Sequence, residues 1–287
     1  GNYLLQFNGT GGVWRRSAIE DAGGWQADTL TEDLDLSIRT QLKGYEIVYL
    51  EDIGSPAELP AEMNGLKSQQ FRWMKGGAET AKKMLPKIWR SSLSFTQKLH
   101  GSAHLLGSSI FVFILLAAIS SVPLLFFFHK LDHLPLYIYS YFMLSWLSII
   151  SIYYVANVWA FYNTESWSKK MGNFIVQYPL FLSLSMGLSL HNTIAVLEGF
   201  IGKKSAFIRT PKFDLKSGKD QIKSNAYLAK QIPTSTIIEG LLAIIFIAST
   251  SYALITGQQA FIVFHLLLAI GFGSICFYSI KHLQLNK

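Results

Sequence analysis

Two short polar clusters in an otherwise apolar chain carry the residue types that chemistry needs. Thr31-Glu32-Asp33 sets two carboxylates at the start of a helical pattern in which Leu34, Ile38 and Leu42 recur at about helical spacing. A carboxylate held there can take a proton from a hydroxyl. Acids in a first turn also complement the helix dipole and cap free amides without doing any chemistry. Gln69-Gln70-Phe71-Arg72-Trp73 is the second cluster. A forked guanidinium suits a diphosphate, a Gln amide can bond sugar hydroxyls, and an indole face suits the C–H face of a sugar. An interfacial helix with a snorkelling Arg and an anchoring Trp would show the same residues.

The flanking sequence predicts what positions these clusters. Tyr3–Asn8 reads as a short strand entering a Gly-rich turn, Asn8-Gly9-Thr10-Gly11-Gly12. Ser17-Ala18-Ile19-Glu20 has the capping-box pattern, with Gly23-Gly24 as the stop. Thr31 is placed to cap a second helix that Gly44 ends, and Glu46–Leu50 alternates like a strand. Ala61–Ala81 reads as an amphipathic helix rich in Gln, Arg, Trp and Lys. Residues 1–100 thus read as the tail of an α/β domain. They are too few for a large one, and the chain opens with Gly1, so a fragment of a longer protein is expected.

Of the 287 residues, 50% are apolar and only 15% charged, where a soluble chain carries nearer 25%. A helix needs roughly 20 apolar residues to cross a bilayer core. Leu105–Phe128, Leu136–Phe161, Ile237–Thr256 and Phe261–Ile280 meet that length, with Glu239 the one charge among them, close enough to an end to reach water. Phe174–Leu197 has the length but is diluted by Gln177, Pro179, His191 and Asn192. Basic residues crowd 67–98 and 203–223, and the positive-inside rule puts both on the cytoplasmic face, separated by an even number of crossings. The expected organisation is therefore two transmembrane helices in 105–161, an interfacial or re-entrant helix at 173–201, a cytoplasmic segment at 202–233, and two more spans in 237–282. The net charge of +7 sits beside apolar runs, which points to a lipid bilayer and not to nucleic acid. Cys276 is the single cysteine, so disulfide frameworks and thiolate metal clusters are excluded. His100, His104, His129 and His133 lie near span ends as interface anchors, and His265 is placed to bond a neighbouring helix.

The two clusters together, in this order and followed by spans, resemble the processive family 2 glycosyltransferases, among them cellulose synthase, hyaluronan synthase and the mannan and glucan synthases. Thr31-Glu32-Asp33 is similar to the Thr-Glu-Asp motif that supplies their catalytic base. Gln69, Arg72 and Trp73 match the Gln-x-x-Arg-Trp motif at the acceptor end of their site. The stretch Phe7–Arg16, with Asn8, Gly9 and Thr10, resembles their acceptor-side loop, closest to the cellulose synthase-like mannan and glucan synthases. Phe207-Ile208-Arg209-Thr210-Pro211-Lys212 resembles the gating-loop motif Phe-x-Val-Thr-x-Lys, departing from it at Arg209.

The resemblance implies a C-terminal part of a GT-A type domain followed by an α-helical membrane region. It implies a UDP- or GDP-sugar donor, a growing polysaccharide acceptor, and inversion to a β-linkage. Asp33 would be the base, with Glu32 orienting and Asp35 facing solvent. Arg72 would face the diphosphate, Trp73 would stack on the acceptor, and Phe207, Thr210 and Lys212 would belong to the gating loop. It also implies Mg²⁺ or Mn²⁺, with ligands in an upstream half. A non-processive transferase acting on a lipid carrier is the rival enzyme, which the Gln-x-x-Arg-Trp match disfavours. A non-catalytic export or scaffold subunit, indifferent to Asp33, is the rival of another class.

Overall fold

The computed structural model describes residues 3–7, 9, 11–50, 52–127, 144, 147–159, 165–210, 212–213 and 231–284. Asn8, Thr10, residues 136–143, 145–146 and 160–161 of the Leu136–Phe161 span and most of the basic segment beyond Lys212 lie outside them. The chain divides into two compact units. One comprises Gly1–Leu115, Ser189–Thr236 and Phe277–Lys287, and the other Leu116–Leu188 and Ile237–Cys276.

The first unit is organised on a long helix, α3 (Met63–Arg90). Glu62 starts it by accepting from the Asn64 amide at 2.7 Å and from the Gly65 amide. Ala78, Ala81, Met84 and Ile88 recur along one face and are fully buried. Ala81, Met84 and Ile88 form the core with Leu4, Leu34, Ile38 and Leu105, joined by Phe200. Truncating Met84 or Ile88 to Ala would cost about 2–5 kcal/mol. α1 (Arg16–Asp21) and α2 (Glu32–Leu42) precede α3, α4 (Phe95–Leu105) follows it, and α8 (Ser189–Ile201) packs against it. Gly199 is why α8 comes so close: a Cβ there would lie 2.6 Å from the Lys75 carbonyl oxygen.

Every regular element among the described residues is helical, so the expected strands are not seen. A strand needs a partner ladder, and Tyr3–Phe7 finds a side chain instead. The Leu5 amide donates to Gln41 Oε1, and Gln41 Nε2 donates to the Leu5 carbonyl, both at 2.8 Å. Residues 46–50 are likewise irregular, with Val48, Tyr49 and Leu50 exposed. The capping expectations also change. α1 starts at Arg16, and its cap residue Arg15 makes no side-chain cap bond. Thr31 precedes α2 without capping it, since its Oγ1 pairs with Thr80 Oγ1 at 3.2 Å. The polar helix foreseen at 61–81 extends instead to Arg90.

Among the described residues three helices are long and apolar enough to span a bilayer: Gly107–Phe127, containing α5 (Ile110–Phe127); α9 (Thr234–Ile255); and Gln259–Leu283, within α10 (Gln259–Gln284). A shorter apolar helix, α6 (Leu147–Trp159), falls in the expected second span. α7 (Trp167–Gly187) and α8 pass the same test only as a pair, bent by 51° at Leu188. The second unit has its own close packing. Ser183 Oγ donates to the Leu267 carbonyl at 2.8 Å, and a Cβ on Gly271 would overlap the Ser183 carbonyl. His265 bonds Ser121 through Nε2 at 2.9 Å, the interhelical contact expected of it. Glu239, expected to reach water, is instead fully buried.

Candidate active site

The site lies in the first unit, where α2 starts beside the middle of α3. Gly76 permits that approach: a Cβ on it would stand 2.6 Å from Thr31 Cγ2 and 2.9 Å from the Thr31 backbone nitrogen. Glu79 fixes the residue before, accepting from the Leu30 amide at 2.8 Å. Asp33 is therefore placed by backbone contacts, not by a flexible loop. Its Oδ1 accepts from the Leu34 amide at 2.8 Å. Its Oδ2 faces Gly9, where a Cβ would come within 2.8 Å. Gly9 has φ 73, so both its backbone and its lack of a side chain keep that carboxylate oxygen accessible. Ser37 ties the two strips together, donating to the Asp33 carbonyl at 2.7 Å and accepting from the Phe7 amide at 3.0 Å.

Asp33 is half-buried, and burial pushes its carboxyl above the ordinary range. The neighbouring Glu32 charge adds to this, against the Leu34 amide and Arg72, which pull it down. Burial in turn lowers Arg72, while the charges of Glu32 and Asp33 support its ionised form. A half-buried carboxylate and a guanidinium thus act on each other's ionisation. Arg72 also holds the segment after α8. Its Nη1 donates to the Ile208 carbonyl at 2.9 Å and its Nη2 to Thr210 Oγ1 at 3.5 Å. The Phe207 ring lies 4.6 Å from the guanidinium carbon.

The structure thus brings together Gly9, Asp33, Arg72, Phe207 and Thr210. Glu32 is exposed, Gln69 is half-buried one turn before Arg72, and Trp73 is 46% exposed on the same stretch of α3. Lys212 does not join them: its Nζ donates to the Glu58 carbonyl at 3.2 Å, and the Phe213 amide donates to Glu58 Oε1 at 2.6 Å. Asp35, expected at the surface, is fully buried. It lies 2.8 Å from Arg39 and 3.0 Å from Lys83. Its spacing from Arg39 (i, i+4) was the available sign. Gly76-Gly77 inside a helix was the sign of the close approach that sequence reasoning missed. No three His, Cys, Asp or Glu side chains among the described residues lie close enough to hold a metal ion.

Helices long and apolar enough to span a bilayer agree with the comparisons. Residues 3–163, more than half of the chain, match the model of glycosyl transferase family group 2, and the chain belongs to that family. It is 46% identical over 95 residues to glucomannan 4-beta-mannosyltransferase 1 of Oryza sativa subsp. japonica, a match covering 33% of this chain and 18% of the rice protein. It is also 46% identical over 85 residues to glucomannan 4-beta-mannosyltransferase 7 of Arabidopsis thaliana, covering 30% and 15%. The chain thus spans less than a fifth of the length of these curated relatives. No solved structure matches it.

Proposed function

We propose that this chain forms the acceptor side and membrane region of an inverting sugar transferase that extends a β-linked polysaccharide on the cytoplasmic face of a membrane. The observation that carries the reading is a half-buried carboxylate, Asp33, held at the start of α2 where it meets the middle of α3, with the Arg72 guanidinium of α3 near enough for each charge to act on the other. As the acceptor hydroxyl attacks the anomeric carbon, its proton passes to the Asp33 carboxylate and a new C–O bond forms. The bond from that carbon to the donor's phosphate oxygen breaks, and its electron pair leaves with the nucleoside diphosphate. A carboxylate whose proton affinity has been raised by burial is the better base for this step. Arg72 offsets the charge that builds on the leaving diphosphate, provided Ile208 and Thr210 give up or share its donors. Trp73, exposed beside it, offers a face for the acceptor's terminal sugar. Attack opposite the leaving group turns an α-linked donor into a β-linkage.

The names of the relatives make mannose the first donor to test. The full-length protein in membrane vesicles is given radiolabelled GDP-mannose, UDP-glucose or UDP-N-acetylglucosamine. Label from GDP-mannose entering a long polymer is the expected result. Label confined to a short lipid-linked product would replace the processive reading with single-sugar transfer.

A further inference from the structure

The segment that covers Arg72 leaves α8 at Gly202, whose φ of 86 turns the chain out of the helix. The Gly202 and Lys203 amides both donate to the Glu198 carbonyl at 3.0 Å. The Glu198 side chain is tied into the same turn. One carboxylate oxygen lies 3.1 Å from Lys75 Nζ, three residues after Arg72 on α3, and the other accepts from Lys203. Lys75 is fully buried, so its ammonium depends on that carboxylate for a counter-charge. From this root the segment runs back over the site. Lys204 donates to the Asp28 carbonyl at 3.2 Å, and Ile208 and Thr210 then meet Arg72. Lys82 fixes the end of α8 from the other side by donating to the Phe200 carbonyl at 2.8 Å.

We propose that Glu198 is a positioning residue: by clasping Lys75 with one oxygen and Lys203 with the other, it sets the pose in which residues 203–210 cover Arg72. Its catalytic consequence rests on the transferase reading above, whereas the clasp itself does not. An acid in the last turn of a helix ordinarily opposes the dipole. Here it holds a buried cation on one helix and the first residue of the covering segment. Loss of the Lys203 contact frees the segment's root while leaving Lys75 paired. Loss of the carboxylate charge weakens both ties.

The test uses the full-length protein in nanodiscs and an arginine-specific protease, with cleavage sites read by mass spectrometry. Arg209 lies between the two residues that contact Arg72, and Arg39 is buried in the core of the same unit. Cleavage after Arg209 follows the undocked population of the segment, and cleavage after Arg39 follows unfolding of the unit. For Lys203→Gln and Glu198→Gln the expected result is Arg209 cleavage faster by about fivefold or more, with Arg39 cleavage unchanged in Lys203→Gln. Glu198→Asp should restore part of the protection. In vesicles the donor KM should rise severalfold in Lys203→Gln with a smaller change in kcat. Unchanged Arg209 cleavage in both variants would overturn the proposal, and so would a parallel rise at Arg39 in Lys203→Gln. Faster Arg209 cleavage in a protein whose wild type transfers no sugar would sustain the clasp and refute the transferase reading instead.

Discussion

Gly76→Ala sets two well-known tendencies against each other. In the interior of a helix, Ala in place of Gly ordinarily stabilises by about 0.5–1 kcal/mol. At this position the added methyl would stand 2.6 Å from Thr31 Cγ2, 2.8 Å from Thr31 Oγ1 and 2.9 Å from the Thr31 backbone nitrogen. Favourable non-bonded contacts lie near 3.5–4.0 Å, so the start of α2 must retreat by roughly 1 Å. A rotamer change of Thr31 relieves the first two contacts but not the third. Overpacking of this kind costs about 1–3 kcal/mol, more than the helix gains, so the variant is expected to be less stable. Asp33 follows Thr31 by two residues and moves with it. A misplacement of about 1 Å at a reacting group costs on the order of a hundredfold in rate. The assay is sugar transfer by membrane vesicles, with thermal unfolding of the purified protein in parallel. A folded variant transferring sugar within about twofold of wild type would refute the argument that the α2–α3 approach sets the position of Asp33.

Three further outcomes follow from the same geometry. Asp33 must be ionised to act as a base, and burial raises its carboxyl. The acid limb of the transfer rate should therefore lie above the ordinary Asp value of about 3.9. The same shift fixes the sign for stability: the contribution of Asp33 is fully present below its unfolded pKa and is lost as pH rises through the folded one. Asp33→Asn, whose amide oxygen can still accept from Leu34, should thus leave the protein as stable as wild type or more so at neutral pH, which thermal unfolding reads. Asp35→Ala should instead destabilise by about 3–5 kcal/mol, because it leaves buried Arg39 without its carboxylate. Denaturant unfolding of the purified protein measures this, and a loss under 1 kcal/mol would contradict it.

Residue order and type made the site's parts legible before any geometry. Arg72, Phe207 and Thr210 come from two separated stretches and touch in the structure, and the charge of Asp33 from a third acts on Arg72. What joins them was not legible, because close approach has no signature beyond small residues. Gly76 and Gly199 mark where helices touch, but neither says which helix arrives. The strand expectations failed for a physical reason. An extended, alternating segment such as Tyr3–Phe7 reads alike whether it bonds a neighbouring strand or, as here, the side chains of Gln41 and Ser37. The solvent-facing reading of Asp35 gave too little weight to its i, i+4 partner Arg39. Lys212 was grouped with Thr210 by motif, yet its ammonium bonds the Glu58 carbonyl.

The central claim is that Asp33 deprotonates the acceptor as the anomeric centre inverts. Its most direct test is the anomeric configuration of the product formed by the full-length protein from an α-linked nucleotide sugar. NMR reads the configuration, with Asp33→Asn assayed alongside. The expected outcome is a β-linked product and a rate lower by about a hundredfold or more in the variant. An α-linked product, or an Asp33→Asn rate within tenfold of wild type, would contradict it.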